Sequence, residues 1–240
     1  MALLDGLISY WKLDEASGTR VDSHTGGNDL TDNNTVTQVA GKISNAGQFT
    51  LANSEHLSRA DNISLSTGDI DFTIAGWVYL DTKPGEMGLF GKYTIGGNQR
   101  EYLVSYESGG DRFRFYISNN GTATTTIDAN NLGSPSTGTW YYIVAWHDAT
   151  ANTINIQVNN GTVNSTAHTT GAFDSSSSFN IGAIGDPLLY HNGRVDEVGF
   201  WKKVLTSDER TQLYNGGSGL AYSSFTSAGG GGGAFLFNFI

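Results

Sequence analysis

The sequence predicts an all-β fold, a two-sheet antiparallel jelly-roll sandwich with one short C-terminal helix. Three observations carry this. About a dozen β-branched and aromatic runs recur at roughly 8–12-residue spacing, the rhythm of a sandwich or jelly roll. Gly, Ser, Thr and Asn crowd the segments between them, with only three prolines in 240 residues, as many tight turns require. Helix start and stop signals coincide near the C-terminus, where Thr206-x-x-Glu209 reads as a capping box and Gly216-Gly217 as a stop.

In chain order, residues 8–13 alternate as a first strand, and a turn-rich run over 14–34 follows. Short strands are predicted at 47–51 and near His56-Leu57. Residues 71–80 are apolar on both faces, which marks a central strand. Residues 89–93, 102–106 and 113–117 read as an antiparallel meander, and 139–146 as a second central strand. Asn159-Asn160-Gly161 is a strong turn signal joining strands at 152–158 and 161–166. Strands at 179–184 and 195–201 close the sheets. No internal repeat or mid-chain linker appears, so residues 1–222 read as one domain and 223–240 as a separate tail.

Composition narrows the chemistry. The chain has no cysteine, which excludes disulfides, thiolate catalysis and thiolate metal sites. Net charge is −10, which disfavours nucleic acid and supplies the carboxylates that hard cations require. No run approaches a membrane span, and the N-terminus lacks a signal-peptide pattern.

Several motifs, in order, carry a family resemblance. They are Gly6-Leu7-Ile8-Ser9-Tyr10-Trp11, Asp22-Ser23 with Gly27-Asn28-Asp29, Phe72-Thr73-Ile74-Ala75-Gly76-Trp77, Trp140-Tyr141-Tyr142, and the closing segment from Gly193 to Arg210. In this the chain resembles the laminin-G-like, concanavalin-A-like jelly-roll domains. The resemblance implies binding of glycans or proteins, often with calcium, and no catalysis. It also implies a structural calcium where the first loop meets the closing strand, with Asp22 and carbonyls around Asn28 facing Asp196.

Parity gives Asp196 a special position independently. If Val198 and Phe200 face the core, Asp196 faces it too, and needs a cation, backbone amides or Arg194 as its partner. Catalytic patterns are missing. Asp196 and Glu197, being adjacent in a strand, are expected on opposite faces and unable to act as an acid–base couple. Neither HExxH, Gly-x-Ser-x-Gly nor a phosphate-binding loop occurs, and the five histidines are scattered.

For ligand binding, Trp77, Tyr79, Tyr102, Tyr106 and Tyr116 are candidate rings for stacking on sugars. A loop rim with His147, Asp148, Asp186, Tyr190 and His191 is the alternative. The tail joins five glycines to Ala234-Phe235-Leu236-Phe237-Asn238-Phe239-Ile240, a flexible tether ending in an apolar strand. Phe235, Phe237 and Phe239 share one side and are expected to anchor a protein partner or a second copy. Together these features predict a non-catalytic glycan-binding or adhesion module on a larger assembly, such as a virion, or extracellular. The alternatives are a structural or protein-interaction subunit and, third, a polysaccharide-active enzyme. No nucleic-acid binding or membrane insertion is expected.

Overall fold

The computed structural model describes residues 2–25, 27–185 and 189–228. The strands run in the order β1 (Leu7–Trp11), β2 (Thr31–Asn33), β3 (Thr37–Ala40), β4 (Asn45–Phe49), β5 (His56–Arg59), β6 (Phe72–Leu80), β7 (Met87–Thr94), β8 (Gln99–Glu107), β9 (Arg112–Ser118) and β10 (Thr124–Asp128). They continue with β11 (Trp140–Asp148), β12 (Thr153–Val158), β13 (Asn164–Ala167), β14 (Phe179–Ile181), β15 (Ala183–Ile184), β16 (Leu189–Tyr190) and β17 (Gly193–Trp201), and then α1 (Ser207–Tyr214).

Two sheets result. One has the order β13-β12-β11-β6-β17-β4-β3, with β1 also paired to β17, and the other is β10-β9-β8-β7-β14-β5-β2. All the pairings between named strands are antiparallel, as the predicted sandwich requires. Between the sheets lies a core that includes Trp11, Phe72, Ile74, Phe90, Phe115 and Phe200.

Strand β6 shows why its sequence is apolar on both faces. Phe72, Ile74, Val78 and Leu80 point into the inter-sheet core, while Ala75 and Trp77 enter a second cluster on the outer side. That second cluster is roofed by α1 and by the segment after it. The Tyr214 ring stacks on Trp77 at 5.9 Å, and Phe225 meets Tyr10 edge-on at 5.0 Å. The compact unit therefore extends past residue 222. Thr226 accepts the Leu4 amide, and Phe225 is buried. Phe235, Phe237 and Phe239 of the predicted anchor lie outside the described residues.

The turn and cap signals hold in detail. Asn159 and Asn160 both adopt φ near +50° (52° and 53°), the backbone of a two-residue hairpin turn, and the Gly161 amide closes it on the Val158 carbonyl. Thr206 Oγ1 accepts the Glu209 amide at 3.2 Å and Glu209 Oε2 accepts the Thr206 amide at 2.9 Å. Lys203 holds the other Glu209 oxygen at 2.7 Å. Thr206→Ala should lower stability by about 1 kcal/mol in denaturant melts. An unchanged midpoint would mean that packing of Leu205 and Leu213, not the cap, fixes the helix start.

Candidate functional site

The outer face of the eight-stranded sheet carries a row of side chains in register. Trp140 on β11 lies opposite Tyr79 on β6, Tyr79 opposite Arg194 on β17, Arg194 opposite Gln48 on β4, and Gln48 opposite Thr37 on β3. Residues directly opposite in an antiparallel ladder share a face. Their neighbours Val78, Tyr141 and Val195 go into the core, so the row points outward.

Contacts along the row are specific. The Tyr79 and Trp140 rings meet edge-on at 5.4 Å, and both are half-buried. The Arg194 guanidinium lies 4.5 Å over the Tyr79 ring, and its Nε donates to Gln48 Oε1 at 3.3 Å. Gln48 Nε2 donates to Asp81 at 2.8 Å. One pleat further along β6, Lys42 Nζ sits 4.7 Å over the Trp77 ring.

Beside this row β17 breaks its regular alternation. Its register against β6 shifts between Asp196 and Gly199, and Glu197 adopts φ +51°. Such a bulge places two residues opposite one and re-aims the side chains. Asp196 consequently pairs with the outward Trp77, while Val198 still faces the core. The predicted core-side parity of Asp196 is thus overturned, because the extra residue resets the alternation. The expectation that Asp196 and Glu197 are held apart on opposite faces falls with it. Both adjoin the turn at residues 42–44. Asp196 Oδ2 accepts the amides of Lys42 and Ile43 at 2.7 and 2.9 Å, and Glu197 lines a cavity of about 220 Å³ with Ile43, Ser44, Asp14 and Tyr222.

Both acids are buried, at 0% and 3% exposure, and each keeps one carboxyl oxygen without a partner. Burial pushes the Asp196 carboxyl up to about 8, with the Glu197 charge adding to it. Burial likewise pushes Glu197 up to about 7, against the hydrogen bond from Tyr10.

The predicted calcium ligands are engaged as hydrogen-bond partners, except Asn28 Oδ1 and Asp196 Oδ1, which are buried without one. The Asp22 oxygens accept the amides of Tyr10 (2.9 Å), His24 (3.0 Å) and Asn28 (3.1 Å), which present positive dipole ends where a cation would sit. The Asn28 carbonyl accepts from Trp11 Nε1 at 2.7 Å, and its side-chain amide donates to Ser9 and Ser64. Asp196 belongs to a separate network with no shared partner. Among the described residues, no three His, Cys, Asp or Glu side chains gather to hold a metal.

The predicted stacking residues divide. Trp77, Tyr102 and Tyr106 are buried at 2%, 0% and 3%, so their ring faces are taken. Trp77 lies under Tyr214 and Lys42. Tyr102 and Tyr106 point inward from β8 and join the inter-sheet core. Their hydroxyls are satisfied by the Leu65 carbonyl and Asp111. Tyr116 is half-buried on the outer face of the other sheet, held by Glu86 and covered by Arg114. Tyr79 alone of the five sits in the row. On the alternative rim, His147 and His191 are fully buried, and Asp186 lies outside the described residues. Trp140 escaped the sequence reading because three consecutive aromatics give no parity.

A family model for the laminin G form of the concanavalin A-like lectin/glucanase superfamily matches residues 51–209. The chain belongs to this superfamily. No curated protein sequence matches it. Among solved structures, the fold is similar to the binding domain of Paraclostridial Mosquitocidal Protein 1, at TM-score 0.68 and 14% identity over 88% of this chain and 52% of that one. It is similar to domain 4 of the arabinanase AbnA from Geobacillus stearothermophilus, solved with arabinotriose, at TM-score 0.63 and 18% identity over 85% and 96%. A Trypanosoma rangeli sialidase also matches, at TM-score 0.62 and 16% identity over 85% and 32%. The chain thus spans about half the length of the toxin binding domain it matches. Within the superfamily, laminin-G-like and lectin-like architecture is what this chain shares with these proteins.

Proposed function

We propose that the chain is a non-catalytic glycan-recognition module, and that it holds sugar rings against Trp140, beside Tyr79 and the Arg194 guanidinium seated on it. The observation that carries this reading is the half-exposed cross-strand pair, two rings in van der Waals range with a polar flank at Gln48. Aromatic faces bury the apolar faces of sugars, and neighbouring amides take up hydroxyls. The lectin-like neighbours, one of them a domain solved with arabinotriose, support a carbohydrate ligand. Against catalysis stands the closure of the acid pair. Asp196 is fully buried, and Glu197 is 3% exposed at the wall of a cavity of only about 220 Å³, which does not seat a polysaccharide chain across the pair. The setting that suits such a module is a virion or other extracellular surface, with the apolar tail at Phe235, Phe237 and Phe239 as its attachment to a partner.

The test is a glycan array on the wild type, followed by titration of the strongest ligand against Tyr79→Ala and Trp140→Ala. Each variant should bind at least tenfold more weakly, about 1.4 kcal/mol, while remaining folded by circular dichroism. Wild-type affinity in both variants would exclude this face as the site.

A further inference from the structure

Resting on the glycan reading above, we propose that the ligand of this face is an acidic saccharide, and that Arg194 and Lys42 recognise its carboxylate. The chain carries a formal charge of −10, with 23 acidic against 13 basic residues. In such a field cations should find carboxylates readily, and six of the thirteen do: Lys12, Arg20, Lys83, Lys92, Arg114 and Lys203. Among the described residues the other seven do not, and of these Arg194 and Lys42 stand on aromatic rings of this face. Both are held in place.

The holding is specific. Arg194 is seated on Tyr79, and its Nε is engaged by Gln48 Oε1. Its two terminal nitrogens have no hydrogen bond among the described residues. A guanidinium fixed by its ring face and by Nε presents those nitrogens as a fork, the geometry that grips a carboxylate through two parallel bonds. Asp81 stands nearby, but Gln48 Nε2 donates to it at 2.8 Å. One amide thus orients the arginine with its oxygen and bonds Asp81 with its nitrogen, and no ion pair joins Asp81 to Arg194 among the described residues.

Lys42 repeats the pattern one pleat away. Its ammonium rests on Trp77, and Trp77 and Tyr79 share a face two residues apart on β6, about 7 Å. The acid next to Lys42 is Asp196, which takes the Lys42 backbone amide and not its ammonium. Burial keeps that carboxyl largely protonated near neutral pH, so it supplies little negative charge to cancel Lys42. Two cations outside any ion pair, beside Tyr79 and Trp140, form an electropositive strip on an acidic protein. A neutral sugar has no use for that strip, and an anionic one completes it.

The experiment titrates the full chain with a panel of uronate- and sialate-containing oligosaccharides and with their carboxyl-reduced, neutral counterparts, at low and high NaCl. Acidic members should bind at least tenfold more tightly than their reduced forms, and the advantage should shrink as salt rises. Arg194→Gln should bring the acidic-to-neutral ratio close to one. Lys42→Gln should lower it part of the way. Arg194→Lys should fall between wild type and Arg194→Gln, because an ammonium lacks the fork. Equal or tighter binding of the reduced sugars by the wild type overturns the inference, as does a ratio that survives Arg194→Gln, or a complete lack of binding to the acidic panel. Neutral-sugar binding that is lost in Tyr79→Ala without any acidic preference would leave the glycan reading standing and remove only this inference.

Discussion

Raising the pH from about 5 to about 8 should lower the melting temperature of the wild-type chain, and Asp196→Asn should remove most of that loss. In an unfolded chain the Asp196 and Glu197 carboxyls ionise near their ordinary values of 3.8 and 4.5. In the fold they hold their protons to about 8 and about 7. Between those limits the native state binds more protons than the unfolded one, so stability falls as pH rises. The contribution is complete below about pH 4 and is lost by the time pH has passed through the folded values. For Asp196 alone the span corresponds to an effect on the order of 5 kcal/mol.

His191 acts in the opposite direction at lower pH. It is fully buried, and burial holds it down to about 4, so its contribution grows from there towards its ordinary 6.5. Comparing wild type with Asp196→Asn at each pH cancels that term. Asparagine keeps an oxygen for the Lys42 and Ile43 amides and has no charge to bury. Alanine is the wrong probe, since it leaves both amides unsatisfied at about 1–3 kcal/mol each. A wild-type melting temperature that is flat or rising from pH 5 to 8, with the variant parallel to it, would show that the pair is ionised and solvated.

The bulge behind this prediction is also where sequence reasoning met its limit. Strand β6 was legible because its residues are apolar on both faces and bounded by turn residues. The Asn159-Asn160 turn and the Thr206–Glu209 box were legible because their chemistry is local. Alternation along β17 was assumed to run unbroken, and nothing in Val195-Asp196-Glu197-Val198 announces that Glu197 adopts a positive φ. One inserted residue reverses every side chain beyond it, so a single unseen bulge moved Asp196 from core to outer face. Tyr102 and Tyr106 failed for a related reason. Their sheet face follows from the pairing of β8 with β7 and β9, which is set by long-range packing. The row of Trp140, Tyr79, Arg194 and Gln48 joins four strands distant in sequence, so it became visible only with the registers.

The electropositive strip and the sandwich beneath it have separate supports, and the second large effect belongs to the sandwich. Lys92→Met should destabilise the chain by about 3–5 kcal/mol, the cost of leaving one buried charge without its partner. Lys92 and Glu101 are both fully buried, with Nζ and Oε2 2.8 Å apart. Lys92 also reaches Asp61 at 2.8 Å, Ser66 Oγ at 3.0 Å and the Ser175 carbonyl. Glu101 accepts the amide and hydroxyl of Thr67 at 2.7 and 2.9 Å, and those of Ser175 at 3.1 and 2.9 Å. Every donor and acceptor of the pair is used, which is the condition under which a buried ion pair persists. Through it two loops, around residues 61–67 and at 175, are tied to the β7–β8 hairpin. Lys92→Met breaks that tie and leaves the buried Glu101 without its cation. Adding Glu101→Gln removes the stranded acid, so the double variant should be less destabilised than the sum of the two single changes. Denaturant melts of the four proteins measure this directly. A loss of under about 1 kcal/mol in Lys92→Met, or strictly additive singles, would mean that the two charges are hydrated and do not hold the loops.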